Sequence, residues 1–261
     1  MRENIQNTNL AFFKSYFLPL ANTCQQRANA LTEDKIGEKS YQLIVAQIWA
    51  LLPGFCNGPK DFNESFESVV KDLGKNLKHP ELRMSIMAGL RQLVLKNSQN
   101  NRPSLSKWAS KFLMELRNLY TIKPVKEERA FENLKTSVMF YYQRDSVMET
   151  IKLLLPLVDS TQLFDQITDA YFHPDKYSNY KQVEDLEFFK DAVYDLIRVM
   201  LKHQDQTRIE NMYKVRKSLI IQETCQFERL LCIPYVKKLL WFLSELKLMT
   251  ENIDHATSQE M

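Results

Sequence analysis

Glycine is scarce, with 5 residues in a chain of 261, about 2% against a usual share near 7%. Phosphate-cradling loops, tight hairpins and nucleophile elbows use glycine to reach positive φ, so this scarcity disfavours most glycine-dependent catalytic folds. GxSxG, GxGxxG, Walker A and protein-kinase motifs are all missing. The four histidines, His79, His173, His203 and His255, are scattered singly with no HExxH relation. Cys24, Cys56, Cys225 and Cys232 include no CxxC pair, which excludes a zinc ribbon or redox motif of that form. They read as small buried thiols in a reducing compartment. The longest apolar stretch, Leu43 to Phe55, is interrupted by Gln47 and falls short of the ~20 residues a membrane span needs. The N-terminus lacks the order of a secretory signal. The acidic pairs Glu127-Glu128 and Glu184-Asp185 sit at expected helix starts, where the macrodipole favours them. The expectation is therefore a soluble intracellular protein that is not an enzyme and has no cofactor, metal site or membrane partner.

What is present is apolar bulk at helical spacing. Hydrophobic residues make up 44% of the chain, with 15 Phe, 11 Tyr and 10 Met. Phe62, Phe66, Val69, Val70, Leu73 and Leu77 follow the series of one helical face. Comparable series occur at Tyr41, Ile44, Ile48, Leu51 and Phe55; at Leu82, Ile86, Leu90 and Leu93; and at Leu105, Trp108, Phe112, Leu116 and Leu119. Further stripes run through Phe131, Leu134, Val138 and Tyr141, then Val147, Ile151, Leu154 and Val158, then Leu186, Phe189, Val193, Leu196 and Met200. Two last helices are expected over 209–220 and 234–248. Trp49, Trp108 and Trp241 lie within such stripes and read as core.

Prolines 53, 80, 103, 124 and 156 punctuate these series. Successive starts give a helix-plus-turn unit of roughly 20 residues, hence pairs near the ~40 to 47 residues of HEAT and armadillo repeats. The predicted fold is all-α, an α-solenoid of HEAT/armadillo-like helix pairs. Its organisation reads as a helical-repeat segment over 1–172, a loop over 173–184, a continuing repeat segment over 185–249 and a polar, disordered tail over 250–261. Residues 10–20 are already amphipathic, as though the chain begins inside an array.

Charge is uneven along the chain. The net charge is +3 and the isoelectric point near 8.5, but residues 71–135 hold 14 Lys or Arg against 6 acids, a local net of +8, leaving the remainder at −5. On a helical wheel Lys71, Lys75 and Lys78 fall opposite the Phe66 stripe, and Lys107 and Lys111 opposite Phe112. These five lysines are the candidate RNA-binding residues, because flexible ammonium groups contact phosphate without reading base edges. The alternative is a solvated face that keeps a long array soluble. Tyr177 and Tyr180, in the loop, are aromatics outside the stripes that suit base stacking or a protein anchor. Gly54 reads as a helix C-cap, and Leu52-Pro53-Gly54, Phe55, Pro59 and Asp61 as an interhelical corner in which one helix stops, Phe55 folds back over it and the next begins.

The stretch Gln47-Ile-Trp-Ala-Leu-Leu-Pro-Gly-Phe-Cys56, continued by Pro59-Lys-Asp61, Ser65-Phe66, Leu73-Gly74, Pro80-Glu-Leu-Arg83 and Ala88-Gly-Leu90, resembles the signature region of the ribosomal RNA processing protein 12 family. Phe12-Phe13-Lys-Ser-Tyr-Phe-Leu-Pro-Leu20 resembles that family too. The motifs cover about residues 10–97, and the remainder matches only as a divergent helical array. The resemblance implies an interior part of a longer HEAT-repeat scaffold in ribosome biogenesis, located in the nucleolus and nucleus. It further implies binding to pre-rRNA and pre-ribosomal particle proteins, and a link to nuclear transport machinery during small-subunit precursor maturation and export. It adds no active site. A protein-binding adaptor or transport-receptor-like solenoid without direct RNA contact is the alternative function.

Overall fold

The computed structural model describes residues 9–98, 101–123, 130–178, 183–204 and 244. Every regular element among them is helical: α1 (Leu10–Phe12), a π-helical stretch (Phe13–Phe17), α2 (Leu18–Ala30), α3 (Lys35–Trp49), α4 (Leu52–Phe55), α5 (Phe62–Asn76), α6 (Pro80–Asn97), α7 (Arg102–Thr121), α8 (Ala130–Leu154), a 3-10 turn (Leu155–Leu157), α9 (Thr161–Phe172), a second 3-10 turn (Pro174–Lys176) and α10 (Val183–Leu201). The chain divides into two compact units, Met1–Ile197 and Arg198–Met261. In the second, the described residues are the end of α10, where Met200 and Leu201 are buried, the turn after it and Ser244. The helices expected over 209–220 and 234–248, the tail 250–261, Tyr180, Cys225, Cys232, Trp241 and His255 lie outside the described residues.

Within the first unit most helices pack on the next one or two in the chain, while α1 also packs on α5 and α3 on α6. α2 lies on α3, α4 on α6, α5 on α6 and α7, and both α6 and α7 on α8. This near-neighbour stacking is the contact pattern of an α-solenoid, in which each amphipathic helix hides its stripe against its successors. The expected stripes of α5, α6 and α7 form the core: Phe62, Phe66, Val69, Val70, Leu73, Leu77, Leu82, Ile86, Leu90, Leu93, Leu105, Trp108, Phe112 and Leu116 are buried, while Leu119 at the end of the α7 stripe is half-buried and Tyr120 is buried beside it. Pro80 and Pro103 stand in the first turns of α6 and α7, where a missing N–H costs nothing.

Several local expectations are corrected. The stripe of α3 is rotated: Val45, Ile48 and Trp49 are buried while Ile44 and Leu51 are exposed. Pro53 starts the short α4 instead of ending α3, and Leu52, the first residue of that new helix, is buried. Gly54 is an exposed residue inside α4 and not a C-cap; Gly58, at φ 69°, supplies the left-handed turn. Phe55 joins Phe12, Phe13 and Phe17, with ring centroids 5.5 to 6.1 Å away. Finally, the two stripes expected between Phe131 and Leu154 lie on one helix, α8. No proline or glycine interrupts residues 130–154, and Val138 and Tyr141 are exposed where Val147, Ile151 and Leu154 are buried.

The corner closes through Asp61. Its carboxylate accepts hydrogen bonds from the backbone N–H groups of Leu10 and Ala11, both at 2.7 Å, so it caps the start of α1 from 50 positions away in sequence. Burial alone would raise the Asp61 pKa, but the N–H of Ala11, the Ser65 hydroxyl and the N–H of Leu10 outweigh it and hold the carboxyl below its ordinary value. A depressed carboxylate pKa contributes stability that is present above the unfolded value near ~3.9 and is lost as pH falls through the folded one. Asp61→Ala is expected to cost about 0.5 to 2 kcal/mol, the usual range for a lost cap, in denaturation at pH 7. The same comparison repeated near pH 3 should show a smaller difference.

Candidate nucleic-acid interface

The basic window separates into two chemistries once folded. Three of its arginines, Arg83, Arg91 and Arg102, join separate elements of the fold. Arg83 donates to the carbonyls of Leu77 and Lys78 at the end of α5, at 3.2 Å each, and to Gln143 Oε1 on α8 at 3.0 Å. Arg91 donates to the Ser146 carbonyl and hydroxyl and to Thr150 Oγ1 on α8. Arg102 reaches the Pro156 carbonyl at 2.7 Å, and Lys123 pairs with Asp185 of α10. The planar guanidinium fork suits such fixed multi-acceptor joints. These cations are therefore committed to architecture.

The lysines of α5 and α7 are placed differently. Lys71, Lys75, Lys78, Lys107 and Lys111 are all exposed. Lys71, Lys75 and Lys111 edge a groove between α5 and α7 of about 540 Å³, whose remaining lining is Val70, Gly74, Trp108, Phe112, Met114 and Glu115. Gly74 opens this groove, because a Cβ at that position would meet nothing closer than the Phe112 ring at 4.0 Å. Lys107 is drawn to Glu67 on α5 with Nζ 2.6 Å from Oε1, and the hydrogen bond and charge of Lys107 lower the Glu67 pKa. Lys75 lies 3.8 Å from Asp72 one turn away. Such solvated pairs yield readily to a phosphate. The Lys111 ammonium sits 4.6 Å from the centroid of the Trp108 ring, a cation–π contact. Helix packing thus brings Lys71, Lys75, Lys107 and Lys111 from α5 and α7 onto one face, with Lys78 at the end of α5.

The other aromatics are mostly structural. Trp49 and Trp108 are buried. Tyr120 donates to Asp195 on α10 at 3.0 Å while the Arg144 guanidinium lies 4.2 Å from its ring centroid; burial first, then the Asp195 carboxylate, pushes the Tyr120 pKa up against the opposing Arg144 charge. Tyr177 is exposed, but its hydroxyl donates to Asp169 at 2.8 Å, which tethers the ring and raises its pKa. Cys24 and Cys56 are buried free thiols, and burial pushes the Cys56 pKa up to about 12, far from the thiolate a nucleophile or metal ligand needs. Among the described residues no three His, Cys, Asp or Glu side chains group as metal ligands, and no helix is long and apolar enough to cross a membrane.

Residues 1–137 match the family described as ribosomal RNA-processing protein 12, HEAT repeats. The human RRP12-like protein is 31% identical over 221 residues, covering 82% of this chain and 16% of the relative. The Drosophila melanogaster RRP12-like protein is 36% identical over 128 residues, 48% of this chain and 9% of its own length. Ribosomal RNA-processing protein 12 of Saccharomyces cerevisiae is 34% identical over 99 residues, 37% of this chain and 8% of its own length. The chain spans less than a fifth of the length of these curated relatives.

Proposed function

The chain belongs to the HEAT-repeat family of ribosomal RNA-processing protein 12, and from that premise we propose that it acts as a non-catalytic helical-repeat scaffold in ribosome biogenesis. In this reading it binds pre-rRNA and assembly factors in the nucleolus and nucleus during small-subunit precursor maturation and export. The family name and the names of the relatives support a role in rRNA processing. The observation that carries the RNA contact is the division of labour in the basic window: Arg83, Arg91 and Arg102 are fixed in joints between elements, while Lys71, Lys75, Lys107 and Lys111 of α5 and α7, and Lys78 just past α5, are exposed. Point charges on flexible stems bind phosphate with little sequence preference.

Replacing those five lysines with Gln should leave the helical circular dichroism signal intact and weaken binding to unrelated RNA sequences alike. The slope of log affinity against log salt should flatten by roughly 0.7 for each single-strand phosphate contact removed. Exchanging Lys202, Lys214, Lys217, Lys237 and Lys238 instead controls for net charge and should matter less. Equal losses in both variants, or none in either, would sink the localised RNA surface. The protein-adaptor reading would then stand, and the exposed apolar side chains Leu20, Leu43 and Ile44 of α2 and α3 favour it as the second choice.

A further inference from the structure

The groove between α5 and α7 has a composition that a phosphate-binding face alone does not require. Charge on an open helix surface would hold a phosphodiester backbone equally well. Here the cations stand at the edge of a concavity floored by Val70, Trp108, Phe112 and Met114, and Gly74 keeps it open. Met114 is 39% exposed, an unbranched and polarisable side chain that adapts to what lies on it. A volume of about 540 Å³ falls within the ~300–1,000 Å³ of sites that enclose small ligands. The ligand that matches must be flat and apolar on its faces, and tethered to anions at its edges.

Resting on the RNA-contact reading above, we propose that this groove is a nucleotide pocket that takes one unpaired RNA base. The base lies against the exposed Met114 and the edges of the nearly buried Phe112 and Trp108 rings, and Lys71, Lys75 and Lys111 hold the phosphates on either side of it. Lys111, now 4.6 Å from the Trp108 ring centroid, swings from the indole towards a phosphate as the base enters. Glu115, at the rim, supplies an acceptor for the N–H groups on a base edge. A duplex cannot use the pocket, because its bases are stacked inside and only its phosphates reach the rim. The surface therefore selects unpaired RNA over a duplex, and does so through base stacking, which every base can provide.

The test uses the full chain with three labelled probes of equal length, read by fluorescence anisotropy: a 12-nucleotide single-stranded RNA, its duplex, and the same strand made abasic. The wild-type chain should bind the base-bearing strand more tightly than the abasic one. Gly74→Leu fills the groove from the last turn of α5, where the new Cβ meets nothing closer than the Phe112 ring at 4.0 Å and where leucine favours helix over glycine, so the fold should hold. It should weaken single-strand binding roughly tenfold, in the range of a lost stacking contact, leaving the duplex, the abasic strand and the salt slope unchanged. If Gly74→Leu lost its helical signal, Met114→Phe would block the same space from the other wall. A triple Lys71, Lys75 and Lys111 to Gln variant should weaken all three probes and flatten the slope. Unchanged single-strand affinity in the filled groove, with loss in the triple variant, overturns the pocket and leaves the RNA surface standing. No loss in either variant overturns both. A Glu/Leu 12-residue peptide that binds the wild type and not Gly74→Leu, where RNA does not bind, makes the groove a protein site and also overturns the proposal.

Discussion

Leu73→Ala is expected to lower the free energy of unfolding by about 2 to 5 kcal/mol, the range for a large side chain removed from a close-packed core. Leu73 is 0% exposed on α5, the helix that packs on both α6 and α7. A fully buried side chain removed there leaves a cavity that the surrounding close-packed core fills only in part. Asn57→Ala, in the exposed turn before Gly58, should stay within about 0.5 kcal/mol. Chemical denaturation of the two variants at matched m-value decides the matter. Losses of equal size would show that α5 is not the element around which the core is built.

Arg91→Met should cost about 1.5 to 3 kcal/mol, the range for a charged hydrogen-bond partner taken from buried groups. Arg91 Nη1 donates to the Ser146 carbonyl at 3.2 Å, the Ser146 hydroxyl at 2.7 Å and Thr150 Oγ1 at 3.1 Å. Ser146 and Thr150 are buried on α8. Methionine keeps an apolar stem of similar length but offers no donor, so the two hydroxyls lose their link to α6. Lys96→Met on the same helix, at an exposed position, is the matched loss of one cation and should stay within about 0.5 kcal/mol. Calorimetric melts that place the two variants together would show that net charge matters here and not the α6–α8 joint.

Arg91 also shows why the sequence overstated the basic surface. The excess of 14 Lys or Arg over 6 acids in residues 71–135 is real as a count, but counting cannot distinguish a cation facing water from one whose partner lies 55 positions further on. The five lysines could be picked out because they fall off the apolar stripe of their own helix, and that is a local property. That Lys71 and Lys75 share a groove with Lys111 could not, since this depends on α5 lying beside α7. Gly74 carried the faintest signal: a glycine in the last turn of an amphipathic helix, where propensity argues against it, leaves open the space beside the Phe112 ring.

The sequence by itself determined the helices and their order. The 3.6-residue spacing in α5, α6 and α7, and prolines 80 and 103 in the first turns of α6 and α7, are chosen by interactions within a few residues. The near-signature from Gln47 to Leu90 pointed to the family for the same reason, being a run of contiguous residues. Tertiary structure alone decided the rest. It sent the Asp61 carboxylate to the start of α1. It also fixed arginines as joints and left lysines as rim. Each of these depends on which surfaces meet across 50 or more residues, and a side chain's role at such a meeting is set by the partner's geometry, which no local pattern encodes.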